Sequence, residues 1–364
     1  MELLNFSKFV YDDKNHYSGN LLLSKFDRNN IRPEIYCSTT NRSAGKTTWF
    51  GGYFIHKFLK NEELFCILMR KKYQLEKAFS FQAYFPSALD CFFPALEMKE
   101  EIGIKGVFNT IYIRERGDEN QWYLCGYSTA INSSDDIRNF SNMLSGVKRM
   151  WLDEFMPESG DYIKDEVKKV FSIHTSLARG NGDQSRYLPL LLTGNLITLD
   201  NPYYEYLGIN DLNIETNFYR GTGFVIEQGF NENASLAHEN STFNQAFSKT
   251  GYDALLTQKQ YINDNYNMIV KIKTLKGDYL FTLKYNNTYF SVRYLPDIAI
   301  YYISENVDKC VKLSLASTRE DMSEDCIYDG ENKFTKLMKK KYHDNQVRFS
   351  NFKSRTAFLE FIRS

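Results

Sequence analysis

The stretch Thr40–Thr48 reads Thr-Asn-Arg-Ser-Ala-Gly-Lys-Thr-Thr and follows the apolar run Ile35-Tyr36-Cys37. A short buried strand that turns through glycine into a helix start admits few folds, because the helix must pack back on the sheet it has just left. Trp49, Phe50, Phe54, Ile55, Phe58 and Leu59 recur at helical spacing and give that helix its apolar face. Its first turn offers unpaired backbone N–H groups and a positive dipole end, a natural seat for phosphate. Lys46 stands where β- and γ-phosphates are held and the Thr47 hydroxyl where Mg²⁺ is ligated, so the segment predicts ATP and Mg²⁺. The candidate nucleotide site is Thr40, Asn41, Arg42, Ser43, Ala44, Gly45, Lys46, Thr47 and Thr48. One position departs from the pattern, which opens on glycine where this chain has Thr40. Read without a ligand, the same residues make an ordinary strand-turn-helix corner.

With 364 residues the chain can bury a large core and is long enough for two domains. Its 45 basic and 45 acidic side chains cancel, which excludes a polycation overall. The balance is uneven: from Glu331 to Ser364 six lysines and three arginines face three acids. Such a basic end suits a polyanionic partner, or simply a solvated helix face. The start of the chain lacks a basic-then-apolar signal and no apolar run approaches membrane-spanning length, so neither secretion nor a membrane is expected. The six cysteines form no Cys-x-x-Cys and the five histidines no His-Glu-x-x-His. Reduced core thiols, rather than zinc or disulfides, are the expectation.

Leu64–Arg70, Val147–Phe155 and Tyr187–Thr193 read as buried strands, and Phe108–Arg114 with Gln121–Tyr127 as a hairpin. Residues Tyr162–Ala178 carry Ile163, Val167, Val170, Phe171, His174, Leu177 and Ala178 on one helical stripe. Strands alternating with helices predict a mainly parallel sheet covered on both faces. The texture then changes. Glu239–Tyr266 is polar and helical in pattern, Tyr279–Tyr285 and Thr288–Leu295 alternate around Asn286-Asn287, and further strands are expected at Ile298–Ser304 and Cys310–Ala316. Helices are expected over Glu331–Lys341 and Phe352–Arg363.

Cleavage of a phosphoanhydride needs a cradle, a metal, a base for water and a cation for the charge that develops. Asp153, at a strand's carboxyl end, is the candidate metal residue with Thr47, and its neighbour Glu154 the candidate base. Alternatively, the acidic pair caps a turn. Asn195 follows the third strand at the sheet's carboxyl edge, facing the γ-phosphate or forming the turn after Gly194. Arg179 ends an apolar-faced helix just before Gly180 and Gly182; it can project into a neighbouring subunit's site or answer its own helix dipole. Arg186 is the competing cation. A glutamate beside the metal acid favours hydrolysis over kinase chemistry.

Taken together, Arg42 to Thr47, the Trp151-Leu152-Asp153-Glu154-Phe155 strand end, Asp165-Glu166-Val167 leading to Arg179, Gly194-Asn195, Asn201-Pro202-Tyr203 and Asp344-Asn345-Gln346-Val347 resemble the DNA-encapsidation ATPase of small podophages of the Picovirinae type. The resemblance implies an additional-strand, catalytic-glutamate (ASCE) P-loop ATPase domain at 1–225, a helical linker at 226–266, and at 267–364 a smaller α/β domain with an RNase H-like nuclease fold that does not cleave. It implies an ATPase that translocates double-stranded DNA as a homomeric ring, pentameric in kind, at a capsid portal, with a structural packaging RNA in some members. The place of action would be the host cytoplasm and, transiently, the procapsid portal. In this reading Glu154 is the base, Asp153 the metal acid, Arg179 the trans-acting finger and Arg42 a phosphate-loop arginine tied to catalysis. In 267–364, Asp278, Asp297, Glu305 and Asp308 do not form a two-metal set. Lys333, Lys336, Lys339, Lys340, Lys341 and Arg348 are the candidate DNA contacts, through phosphate rather than bases. The rival readings are a helicase or helicase loader, an active nuclease, and a scaffold with a degenerate nucleotide fold.

Overall fold

The computed structural model describes residues 17–76, 83–118, 121–179, 184–209, 212, 216–242, 245, 261, 268–272, 275–308, 310, 313–330 and 333–363. They fall into two compact units, one of 1–197 with 213–262, the other of 198–212 with 263–364.

The first unit is built on a sheet of nine strands: β1 Ile35–Thr40, β2 Leu64–Met69, β3 Leu96–Ile104, β4 Phe108–Glu115, β5 Tyr123–Ala130, β6 Val147–Asp153, β7 Leu190–Asn195, β8 Phe218–Arg220 and β9 Phe224–Gln228. Their order is β3-β4-β5-β2-β6-β7-β1-β9-β8. From β5 to β9 every neighbour is parallel, while β3, β4 and β8 attach antiparallel. The inner strands are almost continuously apolar because both faces are covered. An extra strand, β7, separates the phosphate-loop strand β1 from the acidic strand β6, the additional-strand arrangement of the expected fold class. Helix Lys46–Asn61 lays Trp49, Phe50, Phe54, Ile55 and Phe58 on the sheet, with Phe54 stacked on Trp151 of β6 at 5.3 Å.

Three strands of this sheet, β3, β8 and β9, were not expected. β3 escaped because its Lys99, Glu97, Glu100 and Glu101 look like loop; on an edge strand such charges block further pairing. β9, entirely buried, ends in Glu227-Gln228 and is short. The expected boundary at 225 falls inside β9, so Ile226–Gln228 belong to the sheet instead of the linker. Beyond helix Glu232–Glu239, most of the expected linker lies outside the described residues.

In the second unit, β10 Asp278–Tyr285, β11 Thr288–Leu295, β12 Ile300–Ser304, β13 Ser314–Ala316, β14 Ile327–Tyr328 and β15 Val347–Phe349 are ordered β14-β13-β10-β11-β12-β15. The antiparallel trio β10-β11-β12 is flanked by parallel β13-β14 and by parallel β15. This mixed sheet is the smaller α/β fold the resemblance implies. Asn286 and Asn287 both take positive φ, 44° and 58°, which suits a two-residue turn that follows the strands' twist. Helix Phe352–Arg363 starts from Asn351, whose side chain accepts from Ser354 N at 2.8 Å, and packs Phe358 and Phe361 on Phe281 and Phe349. The segment 198–212 is part of this unit, fixed by Arg355 on Asp200 at 3.2 Å and Asn286 on Glu205 at 2.6 Å.

All six cysteines are free. Cys37, Cys66, Cys125 and Cys326 are buried, and burial pushes the Cys66 thiol up to about 12. Cys91 and Cys310 are exposed, contrary to the expectation of core thiols throughout. No helix among the described residues is long and apolar enough to cross a membrane.

Candidate functional site

An open recess of about 350 Å³ is lined by Arg42, Ser43, Ala44, Gly45, Lys46, Thr47, Thr48, Asp153, Glu154, Gly194 and Asn195. Three parallel strands deliver these residues to one edge: β1 ends at the loop, β6 at the acids and β7 at Asn195. Register does the alignment, with Thr40 opposite Asn195 and Asp153 opposite Thr193. The loop turns through Ser43 and Gly45 in left-handed conformations, φ 61° and 92°. Glycine takes the second without strain.

Lys46 is buried, and its ammonium donates to Thr40 Oγ1 at 2.7 Å, Asn195 Oδ1 at 3.2 Å and Asn41 O at 3.3 Å. All three acceptors are neutral. Burial lowers its pKa to about 8, while Asp153, Glu227 and Glu154 pull the other way through space. A cation so placed is suited to an anion. Thr40 therefore does more than replace a glycine: its hydroxyl seats the lysine. Room for its methyl group comes from just past β9, where a Cβ on Gly229 would lie 3.0 Å from Thr40 Cγ2.

Thr47 Oγ1 donates to Asp153 Oδ2 at 2.7 Å. The other carboxylate oxygen accepts from Glu154 N at 3.0 Å and from Thr193 Oγ1, which in turn accepts from Trp151 Nε1 at 2.8 Å. A hydroxyl and a carboxylate held side by side form the donor set Mg²⁺ takes beside phosphate. The chemistry of these residues fits both groups.

Glu154 takes a left-handed φ of 52° and lines the recess. Partial burial raises its pKa, and the charges of Asp153 and Glu158 add to this against Arg70 and Arg42. Arg42 Nη1 lies 3.0 Å from Glu158 Oε1, both half-exposed. Sequence reasoning passed over the support behind this glutamate. Arg70, closing β2, bonds Glu166 with Nε at 3.0 Å and Nη2 at 3.1 Å, and Nη2 also donates to Glu154 O at 3.0 Å and Phe155 O at 3.3 Å. Its only signal was a cation at the end of an apolar run. Glu227 was missed with β9; buried, it accepts from Tyr17 OH at 2.7 Å and Ser38 Oγ at 3.2 Å.

The remaining expected residues lie elsewhere. Arg179 is exposed at the end of helix Glu166–Leu177 and lines a separate recess with Arg138 and Lys168. Arg186 closes that helix instead, donating to Leu177 O at 2.7 Å and Ser145 O at 2.9 Å. On helix Lys333–His343, Lys333, Lys336, Lys339 and Lys340 are exposed. Lys341 turns to Gln346 Oε1 at 3.0 Å, and Arg348 bonds Asn345 O at 2.9 Å. Asp278, Asp297, Glu305 and Asp308 are all exposed, and among the described residues no three His, Cys, Asp or Glu side chains gather as a metal site.

Two solved structures resemble the whole chain. One is "The bacteriophage Phi-29 viral genome packaging motor assembly", with TM-score 0.67 and 18% identity over 96% of this chain and 99% of that one. The other is "The Phi-28 gp11 DNA packaging Motor", with TM-score 0.59 and 15% identity over 96% and 99%. At these identities they speak for the fold. No curated protein matches in sequence. The family model for the podovirus DNA encapsidation protein (Gp16) matches residues 8–364, almost the full length over which the phosphate loop, the acidic strand end and the second α/β unit are arranged. The chain belongs to the podovirus DNA encapsidation protein family.

Proposed function

We propose that this protein hydrolyses ATP and uses the cycle to drive double-stranded DNA into a capsid, as one subunit of a homomeric ring at the portal. The observation that carries the reading is the convergence of Lys46, the Thr47–Asp153 pair, Glu154 and Asn195 on one recess. Lys46 would hold the outer phosphates, and Thr47 with Asp153 would hold Mg²⁺, which offsets the charge on the transferred group. Glu154, which lines the recess, accepts the proton of the attacking water. Asn195 releases Lys46 and meets the γ-phosphate in its place.

Exposure favours Arg179 over Arg186 as the residue offered to a neighbouring subunit. Five subunits, docking on the portal and, in some settings, a packaging RNA follow from the resemblance, as does action in the host cytoplasm. The exposed lysines of helix Lys333–His343 are the proposed grip on DNA phosphate.

Glu154→Gln is the decisive variant. It should retain ATP binding and lose hydrolysis by a factor of about 10² to 10⁴, the usual worth of a positioned base. Packaging into portal-bearing capsids should stop with it. Wild-type hydrolysis by this variant would reject the assignment.

A further inference from the structure

Thr40 and Asn41 each face two ways. Towards the recess, Thr40 Oγ1 and Asn41 O accept the Lys46 ammonium at 2.7 and 3.3 Å. Away from it, both are keyed to residues 229–231. Gly229 N donates to Thr39 O at 2.8 Å and leaves space for the Thr40 methyl. Both ends of the side-chain amide of Asn41, only 1% exposed, meet the Asn231 backbone. Nδ2 donates to Asn231 O at 3.0 Å, and Oδ1 accepts from Asn231 N at 2.9 Å. Asn231 then caps helix Glu232–Glu239, its Oδ1 accepting from Ala234 N at 2.8 Å.

A two-point amide pair resists rotation and sliding together, so a turn of Asn41 carries the Asn231 backbone with it. When an anion draws the Lys46 ammonium outward, Thr40 Oγ1 and Asn41 O both lose that contact, and Asn41 O keeps the Thr40 hydroxyl at 2.9 Å. Packed elements answer such a loss by moving between discrete arrangements rather than by yielding smoothly. Direct phosphate binding is a poor alternative use for Asn41, because both ends of its amide already point into the protein.

We propose that Asn41 is a coupling residue: it makes the first turn of helix Glu232–Glu239 register whether the phosphate loop is filled. The proposal rests on the nucleotide reading above. From that helix the chain continues to the residues of the second unit, which begin again at 263. The responding element therefore precedes the half that carries the basic helix.

Hydrogen exchange of the full chain, with and without Mg²⁺ and a slowly hydrolysed ATP analogue, tests it beside titration with a fluorescent ATP. In the wild type, exchange at the amides of Ala234 and Ser235 should change about three- to tenfold on binding, the range one hydrogen bond commands. Asn41→Ala, compared at nucleotide concentrations that saturate it whatever its affinity, should show no such change. Asn41→Asp, which keeps the acceptor and loses the donor, should show a reduced one. A wild-type helix that ignores nucleotide overturns the proposal, as does a full response in nucleotide-bound Asn41→Ala. Failure of the wild type to bind nucleotide would instead bring down the phosphate site, and the proposal with it.

Discussion

Arg70 shows how much of the recess can depend on a residue that does not line it. Its side chain is 13% exposed and that of its partner Glu166 only 1%, so the pair is largely desolvated. Its second role, holding the carbonyls of Glu154 and Phe155, supports the left-handed turn at Glu154. Arg70→Ala should cost about 3–5 kcal/mol in urea unfolding, because it takes the cation from a buried carboxylate that keeps the Ile163 N–H at 3.1 Å. Adding Glu166→Gln should recover part of the loss. Glu227 offers a test by pH. Burial raises its pKa, while Tyr17, Ser38 and Lys46 counteract. A carboxyl whose folded pKa exceeds its unfolded one contributes fully below the ordinary range, and the contribution is lost as pH rises through the raised value. Wild type should therefore lose stability relative to Glu227→Gln as pH rises above the ordinary carboxylate range, read as the difference in melting temperature.

At the scale of elements, the phosphate loop works through its neighbours on either side. β7 brings Asn195 to Lys46, and Gly229, just past β9, gives Thr40 the space a glycine would not have needed. The Thr40 departure from the usual loop and the glycine at 229 are thus two halves of one packing solution. Gly229→Ala should destabilise by about 1–3 kcal/mol through overpacking, and Thr40→Ser, which deletes the methyl but keeps the hydroxyl, should relieve most of it. A double-mutant cycle on thermal stability reads the coupling. The parallel strands β1, β2, β6 and β7 were legible in the sequence because burial on both faces makes them largely apolar runs. β3 and β9 were not, since one is a charged edge and the other ends in polar residues whose partners lie far along the chain.

For the molecule as a whole, charge is segregated rather than scarce. The net balance is zero, yet the end of the chain gathers a basic helix whose exposed face carries Lys333, Lys336, Lys339 and Lys340. Replacing Lys333, Lys336 and Lys340 by Glu should weaken binding to duplexes of any sequence. The slope of log affinity against log salt should fall by about 0.9 for each phosphate contact removed. Lys341 and Arg348 replaced singly should change that slope little, since both are engaged within the fold. The division into units also differs from a simple cut. Residues 198–212 leave the first sheet directly after β7 and pack with the second, held by Asp200 and Glu205.

The chain's own order of residues settled the phosphate loop, the acidic pair, the helix faces and the alternation of strand and helix. Each of these is a local pattern: a turn that needs glycine, a stripe at helical spacing, a buried apolar run. Folding decided what depends on distant partners. It chose Thr40 as the seat of Lys46, set Arg70 behind Glu154, buried Glu227 against Tyr17 and Ser38 and joined Asn41 to Asn231, 190 positions away. Hydrogen bonds and van der Waals contacts act over a few ångströms, and only the sheet's register brings such residues that close.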